Sequence, residues 1–416
     1  VDRSSKRIAF VTAAVHGLVH ASVLLLPPLL ADLRAAFGVS LLALAGVANG
    51  LYVAFGLAAI PGGWLADRFG SRRVLALSAG GCGLATAAAA AAPSFGAFAA
   101  ALVALGAFAG LHHPSGLSLV SRRVAGADQG RALGIHGLGG SLGEALGPIG
   151  AALAARALGW RYGFVTASAL AFACAAVIVS GTLKGSPNPP GLAPRGEAAP
   201  RSGRAISAGI SALWRNPAVR WLLLASLAGG FVYRGVITFL PLHLSGVVEG
   251  GPLAGAGVIT LVLVAGTAAQ LLGGSLTDRM PRERLFVVEL LLFAPVLLLL
   301  GLGSGTAGLA LAVTFGFLWS LTQPLAATLA ATHAESNDHG LLYGLQLALA
   351  FGVGSFATTL GALLEARGGT RLALIGFGAA GVVELVAALG LLRATRGSAG
   401  RAAVDGRVPG AGITGR

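Results

Sequence analysis

The chain has 416 residues, 55% of them hydrophobic and 11% charged, with a mean hydropathy of +0.82 and a net charge of +14. Apolar runs of about 20 residues, long enough to cross a hydrocarbon core of about 30 Å, exclude an ordinary soluble domain, and the lack of alternating polar positions excludes a β-barrel. The positive charge sits in short connections, with no basic helix face or interleaved aromatics, which excludes nucleic acid as a partner.

Cutting the chain at charge and Pro/Gly clusters predicts spans near 8–30, 41–66, 74–92, 96–120, 132–155 and 162–183, then 219–242, 253–276, 285–302, 307–331, 340–364 and 372–392. The expected class is an all-α polytopic membrane protein of about twelve helices in two pseudo-symmetric six-helix bundles, 1–183 and 219–393. The first apolar stretch is too long for a signal h-region and reads as a retained membrane helix. Cys82 and Cys174 fall inside apolar runs, as small hydrophobes.

Residues 184–218, rich in Pro, Gly, Ser and Arg, form an expected cytoplasmic linker. Its last part, Ile206 to Arg220, has the composition of a short interfacial helix with Trp214 and Trp221 at headgroup depth. Residues 394–416 read as a disordered tail by the same compositional test. Lys and Arg concentrate before the first span, in alternate connections, in the linker and in the tail. Only Arg34, Arg156, Arg161, Arg367 and Arg371 fall on the other side, and Arg234 lies within a span. Both termini and the linker are therefore expected in the cytoplasm. Abundant Ala, Gly and Arg with only two Lys point to a GC-rich bacterial genome, hence a bacterial inner membrane.

Residues 62–75, GGWLADRFGSRRVL, align without gaps with residues 273–286, GGSLTDRMPRERLF, at an offset of 211. Each copy follows the second span of its half, as duplication with parallel halves requires. Twelve spans, a basic central linker and G-x-L-x-D-R-x-G-x-R after the second span resemble the major facilitator superfamily. The resemblance implies two bundles that open alternately around a central cavity, with Asp67 and Arg68 as a cytoplasmic latch. Gly63 and Gly70 complete that motif; Asp278 and Arg279 repeat it, although Pro281 replaces the second glycine. In the fifth span GGSLGEALGPIG resembles the glycine-proline motif of the superfamily's antiporters: Gly139, Gly143 and Gly147 make a small-residue face and Pro148 bends the helix. The fourth span carries GLHHPSG in place of the Arg that drug exporters of this family have there. With GRALG at 130–134 it is similar to the fosmidomycin-resistance branch of bacterial exporters.

Ionisable side chains at membrane depth are costly and so are functional candidates. His16 and His20 share a face of the first helix and are candidate proton carriers, or else neutral imidazoles bonded to carbonyls. Glu144, mid-way along the fifth span, is the leading proton site. His112 and His113 precede Pro114, which frees a backbone carbonyl. Arg234 is expected either to pair with a carboxylate or to hold an anionic substrate group. Trp319, Gln323, Asn49, Tyr52 and Gln346 are further candidate contacts in the cavity. Glu289 is expected to snorkel to the interface and His243, Glu365 and Arg367 to be solvated; Glu384 has no evident role. Four histidines on two helices, with no Glu or Cys completing a recognisable set, predict no metal. No cofactor is expected, and no phosphate loop is present to drive transport with ATP.

The function expected is secondary transport of a small polar or anionic organic molecule, as proton-coupled export by a monomer in the bilayer, and not an enzymatic reaction. An importer or uniporter of a metabolite in the same fold is the alternative; a non-transporting sensor or scaffold is a third reading.

Overall fold

The computed structural model describes residues 3–124, 126–180, 203–245, 251–333 and 339–404, and among these every regular element is helical. The first crossing is broken by its own prolines. Helix α1 (Arg3–Val23) gives way to a 3₁₀ turn at Pro27–Leu29, and α2 (Leu30–Phe37) ends on Gly38, whose φ of 63° is the left-handed cap that glycine adopts without strain. The crossing thus runs past the expected end at residue 30. Helices α3 (Leu41–Phe69) and α4 (Ser71–Ala91) follow, joined at Gly70 with φ 89°. The fourth crossing is split into α5 (Phe95–Gly110) and α6 (His112–Arg123) at the turn before Pro114. Helices α7 (Gly126–Leu158) and α8 (Trp160–Val179) complete the first half.

Residues 184–202 of the expected linker lie outside the described residues, whereas Gly203–Arg215 forms α9 with Trp214 exposed. Trp221 belongs to the next membrane helix, α10 (Pro217–Ser245), where it packs against Gly390 rather than sitting on an interfacial helix. The second half continues with α11 (Gly251–Arg279), α12 (Arg282–Leu300), α13 (Gly305–His333), α14 (His339–Leu347), a π-helical segment Ala348–Val353 and α15 (Phe356–Val404). Helix α15 holds the end of the eleventh crossing, which begins in α14 and the π segment, and the whole of the twelfth, separated where Gly368 and Gly369 leave helical geometry, Gly369 with φ 68°. It continues to Val404, past the expected end of the twelfth span, and residues 405–416 lie outside the described residues.

Eight stretches among the described residues are by themselves long and apolar enough to cross a membrane, and one of these, Gly344–Arg396, contains two helices. Helices α7, α11 and α12 complete twelve crossings. The first and last fall short alone because α7 carries Glu144 and α12 opens with Arg282, Glu283 and Arg284; in α11 the side chains flanking Gly257–Gln270 lie outside the described residues.

The two halves pair their helices alike. In the first, α1 packs on α7, α3 on α5 and α4 on α8; in the second, α10 packs on α15, α11 on α13 and α12 on α15. Lipid tails are as apolar as leucine, so close backbone contact between small residues holds such pairs. A Cβ on Gly139, Gly143 or Gly147 of α7 would strike the backbone of Ala13, Gly17 or Ala21 of α1, and Gly230 of α10 meets Ala350 in the same manner.

Contacts between the halves run along α7 with α11 and along α3 with the π segment and α15. Ser141 Oγ donates to Gln270 Oε1 at 3.3 Å, Phe55 stacks on Phe351 at 4.8 Å, Asn49 Nδ2 donates to Thr359 Oγ1 at 2.9 Å, and Thr358 Oγ1 donates to Ala45 O at 3.1 Å. These described contacts lie at mid-membrane or towards the face opposite the termini, near the start of α3. In a variant with Cys82 and Cys174 replaced by Ala, the pair Asn49→Cys and Thr359→Cys is therefore expected to cross-link with a short thiol-specific reagent and to arrest the transport that the resemblance implies, with recovery on reduction. Efficient cross-linking with full transport would show that this face does not open during the cycle.

Candidate functional site

Three helices of the first half bring histidines to one point. Helix α1 supplies His16 and His20, α6 supplies His112 and His113, and α7 supplies His136 and Glu144. On α1 the two imidazoles are one turn apart; on α7, His136 and Glu144 are two turns apart on one face. The glycine face of α7 lets α1 approach until these stripes touch, and Gly140 leaves room for the His16 ring, whose Cε1 lies 2.5 Å from where a Cβ would be. The ring centroid of His16 is 4.3 Å from that of His136, 4.7 Å from His20, 5.0 Å from His112 and 5.1 Å from His113.

A chain of hydrogen bonds fixes the protons. His16 Nδ1 lies 2.8 Å from the carbonyl oxygen of His136 and can only donate to it. In its neutral form, His16 then offers a lone pair at Nε2, which accepts from His20 Nε2 at 3.0 Å. His20 has used its Nε2 proton in that bond, so the one proton between His20 Nδ1 and Glu144 Oε1, 2.8 Å apart, belongs to either partner. The pair is imidazolium with carboxylate, or imidazole with carboxylic acid. Both states keep every hydrogen bond in the chain.

The second half closes over this pair with Tyr233 and Arg234 of α10, both within electrostatic reach of Glu144. Arg234, 4% exposed, places its guanidinium carbon 4.3 Å from the centroid of Tyr52, 5.1 Å from that of Tyr233 and 4.1 Å from that of Phe351. Three π faces solvate part of the cation where water is scarce. The extra residue of the π turn re-aims the segment that carries Phe351 towards both Phe55 and Arg234.

The structure therefore brings together His16, His20, His112, His113, Glu144, Arg234 and Tyr52. It does not bring in the other expected cavity residues. Asn49 joins the two halves; Gln346 Nε2 donates to Ser226 Oγ at 2.9 Å inside the second half; Trp319 stacks behind Tyr233 at 4.8 Å, supporting its ring. The side chain of Gln323 lies outside the described residues. His136, Tyr233 and Phe351 join the site without having been singled out by sequence. His136 carried a usable signal in its helical register with Glu144, and Tyr233 adjoins Arg234, but Phe351 carried none.

Two other expectations are corrected. Glu289 is 2% exposed instead of snorkelling, because α12 turns it into the second bundle beside Thr322; Glu384 is buried against Gly229 in that bundle. His243 is buried, its Nδ1 2.9 Å from Thr370 Oγ1, and so is not solvated. Of the latch motif, Arg68 is exposed and lies over Trp64 and Phe69 at 5.5 and 5.7 Å, Arg279 is exposed, and Gly62 and Gly63 pack towards Pro114 of α6. The side chains of Asp67 and Asp278 lie outside the described residues. Arg72 of the same motif donates to the last carbonyls of α8, Ile178 O at 3.0 Å and Val179 O at 3.1 Å.

The family model of the Major Facilitator Superfamily matches residues 12–359. The chain belongs to the Major Facilitator Superfamily. Among solved structures it is similar to a bacterial homologue of the human lysosomal transporter Spinster in an inward-facing, unoccupied conformation, with 15% identity, a TM-score of 0.77 and coverage of 95% of this chain and 99% of that one. It is also similar to a D-xylose-proton symporter, with 14% identity, a TM-score of 0.78 and coverage of 92% and 96%. At such identities the likeness is one of fold. No curated protein matches the chain by sequence. As a superfamily member the protein is a multi-pass membrane transporter and not an enzyme, and its cluster lies where the two halves meet.

Proposed function

We propose that this superfamily member exports a small polar or anionic organic molecule in exchange for protons, with Glu144 as the proton carrier and Arg234 as the holder of the substrate's anionic group. The observation that carries the reading is the Glu144–His20 pair at 2.8 Å with Arg234 and Tyr233 facing it from the other half. His20 holds the proton-accepting oxygen in place and His16 holds His20.

In this reading, bundles 1–183 and 219–393 rock about the cluster, in a bacterial inner membrane with both termini in the cytoplasm. The contacts on the face opposite the termini correspond to an inward-facing state. The glycine-proline motif of α7 favours export, and the His-His-Pro fourth helix favours the fosmidomycin-resistance branch. The alternative, a metabolite importer, draws on the missing fourth-helix Arg.

Growth of a sensitive bacterial host against a panel of toxic small molecules including fosmidomycin tests the direction. Protection by the wild-type chain, with acid-driven uptake of the same compound into inverted vesicles, is expected. Failure to protect against every compound, together with substrate accumulation by whole cells, would replace export with import.

A further inference from the structure

Two imidazoles in the cluster are buried and poorly partnered. His112 is 0% exposed, and among the described residues neither of its ring nitrogens has a hydrogen-bond partner; His136 is 2% exposed and makes no well-formed hydrogen bond, with only the Thr12 backbone near its ring. A neutral imidazole carries one N–H and one lone pair, and both want partners inside a membrane bundle. Both rings are nearly parallel to His16, which stacks on them at interplanar angles of 15° and 22°. One nitrogen from each of the three lies within 4.8 Å of the other two. Gly116 keeps the space beside them open, since a Cβ there would come within 3.1 Å of His136 Cε1 and 3.2 Å of His112 Cε1.

We propose that His16, His112 and His136 form a binding site for a divalent transition metal of the zinc class. Neutral imidazoles from three different helices are the donor set that zinc, cobalt and nickel prefer; among the described residues of the cluster there is no thiolate to select copper(I) and no cage of oxygens to select calcium or magnesium. Tetrahedral bonds of 2.0–2.1 Å put ligand nitrogens about 3.3 Å apart, so the rings turn inward from their present spacing on binding. His16 gives up one neutral hydrogen bond, to His20 or to the His136 carbonyl, in return for a metal–nitrogen bond. A fourth position stays open for water or for a donor atom of the cargo. A second set, His16, His20 and His113, also lies within 4.8 Å, but its His20 is engaged with Glu144. The expectation of no metal rested on four histidines from two helices; His136 adds a third helix. The inference goes beyond the proton-coupled export proposed above and does not depend on it, because metal binding is an equilibrium property measured without transport.

The test uses tag-free purified protein in detergent, titrated with Co²⁺ alone and then with Zn²⁺. The expected result is one Co²⁺ per chain with the visible ligand-field bands of a low-coordinate nitrogen site, displaced by one Zn²⁺. Affinity is expected to fall at least tenfold in His112→Gln and His136→Gln and to hold in His333→Gln. X-ray absorption of the Zn²⁺-loaded wild type, which needs no variant to fold, is expected to count three imidazoles. Absence of saturable Co²⁺ and Zn²⁺ binding, or fewer than three imidazoles on the bound zinc, overturns the site; so does an organic anion that binds at the histidines where the metals do not.

Discussion

Glu144→Gln is expected to abolish pH-driven transport by about 100-fold or more while leaving a folded, normally inserted protein. The amide has the shape of the carboxylic acid. Its N–H₂ can donate to His20 Nδ1, so the bond at 2.8 Å and the His20–His16 link behind it survive. What is lost is the second state, the imidazolium-carboxylate pair, and with it the ability to give up a proton. Exchange of substrate down its own gradient is therefore expected to continue. The measurement is counterflow and pH-jump uptake in proteoliposomes, each normalised to inserted protein. Wild-type response of Glu144→Gln to the pH jump would remove the carboxylate from the coupling mechanism. Loss of both activities with normal folding would assign Glu144 to substrate binding instead.

The second large effect is expected at Gly143. A Cβ there would fall on the backbone of Gly17, and the neighbouring glycines meet Ala13 and Ala21 in the same way, so the whole α1–α7 seam is backbone against backbone. Backbone cannot move aside as a flexible side chain can. Gly143→Val must separate the two helices, at a cost of about 1–3 kcal/mol or more, and it pulls Glu144 away from His20. Gly137→Ala and Gly150→Ala lie on the same helix with nothing within 4 Å of the added Cβ and are expected to be neutral. Thermal unfolding in detergent, followed by size-exclusion fluorescence, separates these outcomes: a marked loss for Gly143→Val with little change in the other two. Equal stability of all three would mean that α1 and α7 are not in backbone contact.

Much of the architecture is written in the sequence because hydrocarbon thickness fixes helix length and lysine and arginine avoid the core. The twelve crossings and the repeat of GGxLxDR are local or periodic features that need no knowledge of partners. So is the glycine register of α7, which packs as its spacing suggests. Pro114 splits the fourth crossing for a reason legible in one residue, and so do Pro27 and Pro28 in the first.

The meeting of faces is different. Helical periodicity says that His16 with His20, and His136 with Glu144, share a face; it does not say that these faces touch, because their separation along the chain carries no distance information. Tertiary packing alone decided that His112 and His136 would be buried beside His16, that Arg234 would rest on Tyr52, Tyr233 and Phe351, and that Asn49 would join the halves through Thr359. It also turned Glu289 inward, where hydropathy alone allowed the side chain to reach the interface. Sequence determined which residues could stand at membrane depth; the approach of two bundles, set by glycine contacts and a π turn, determined which of them share a site.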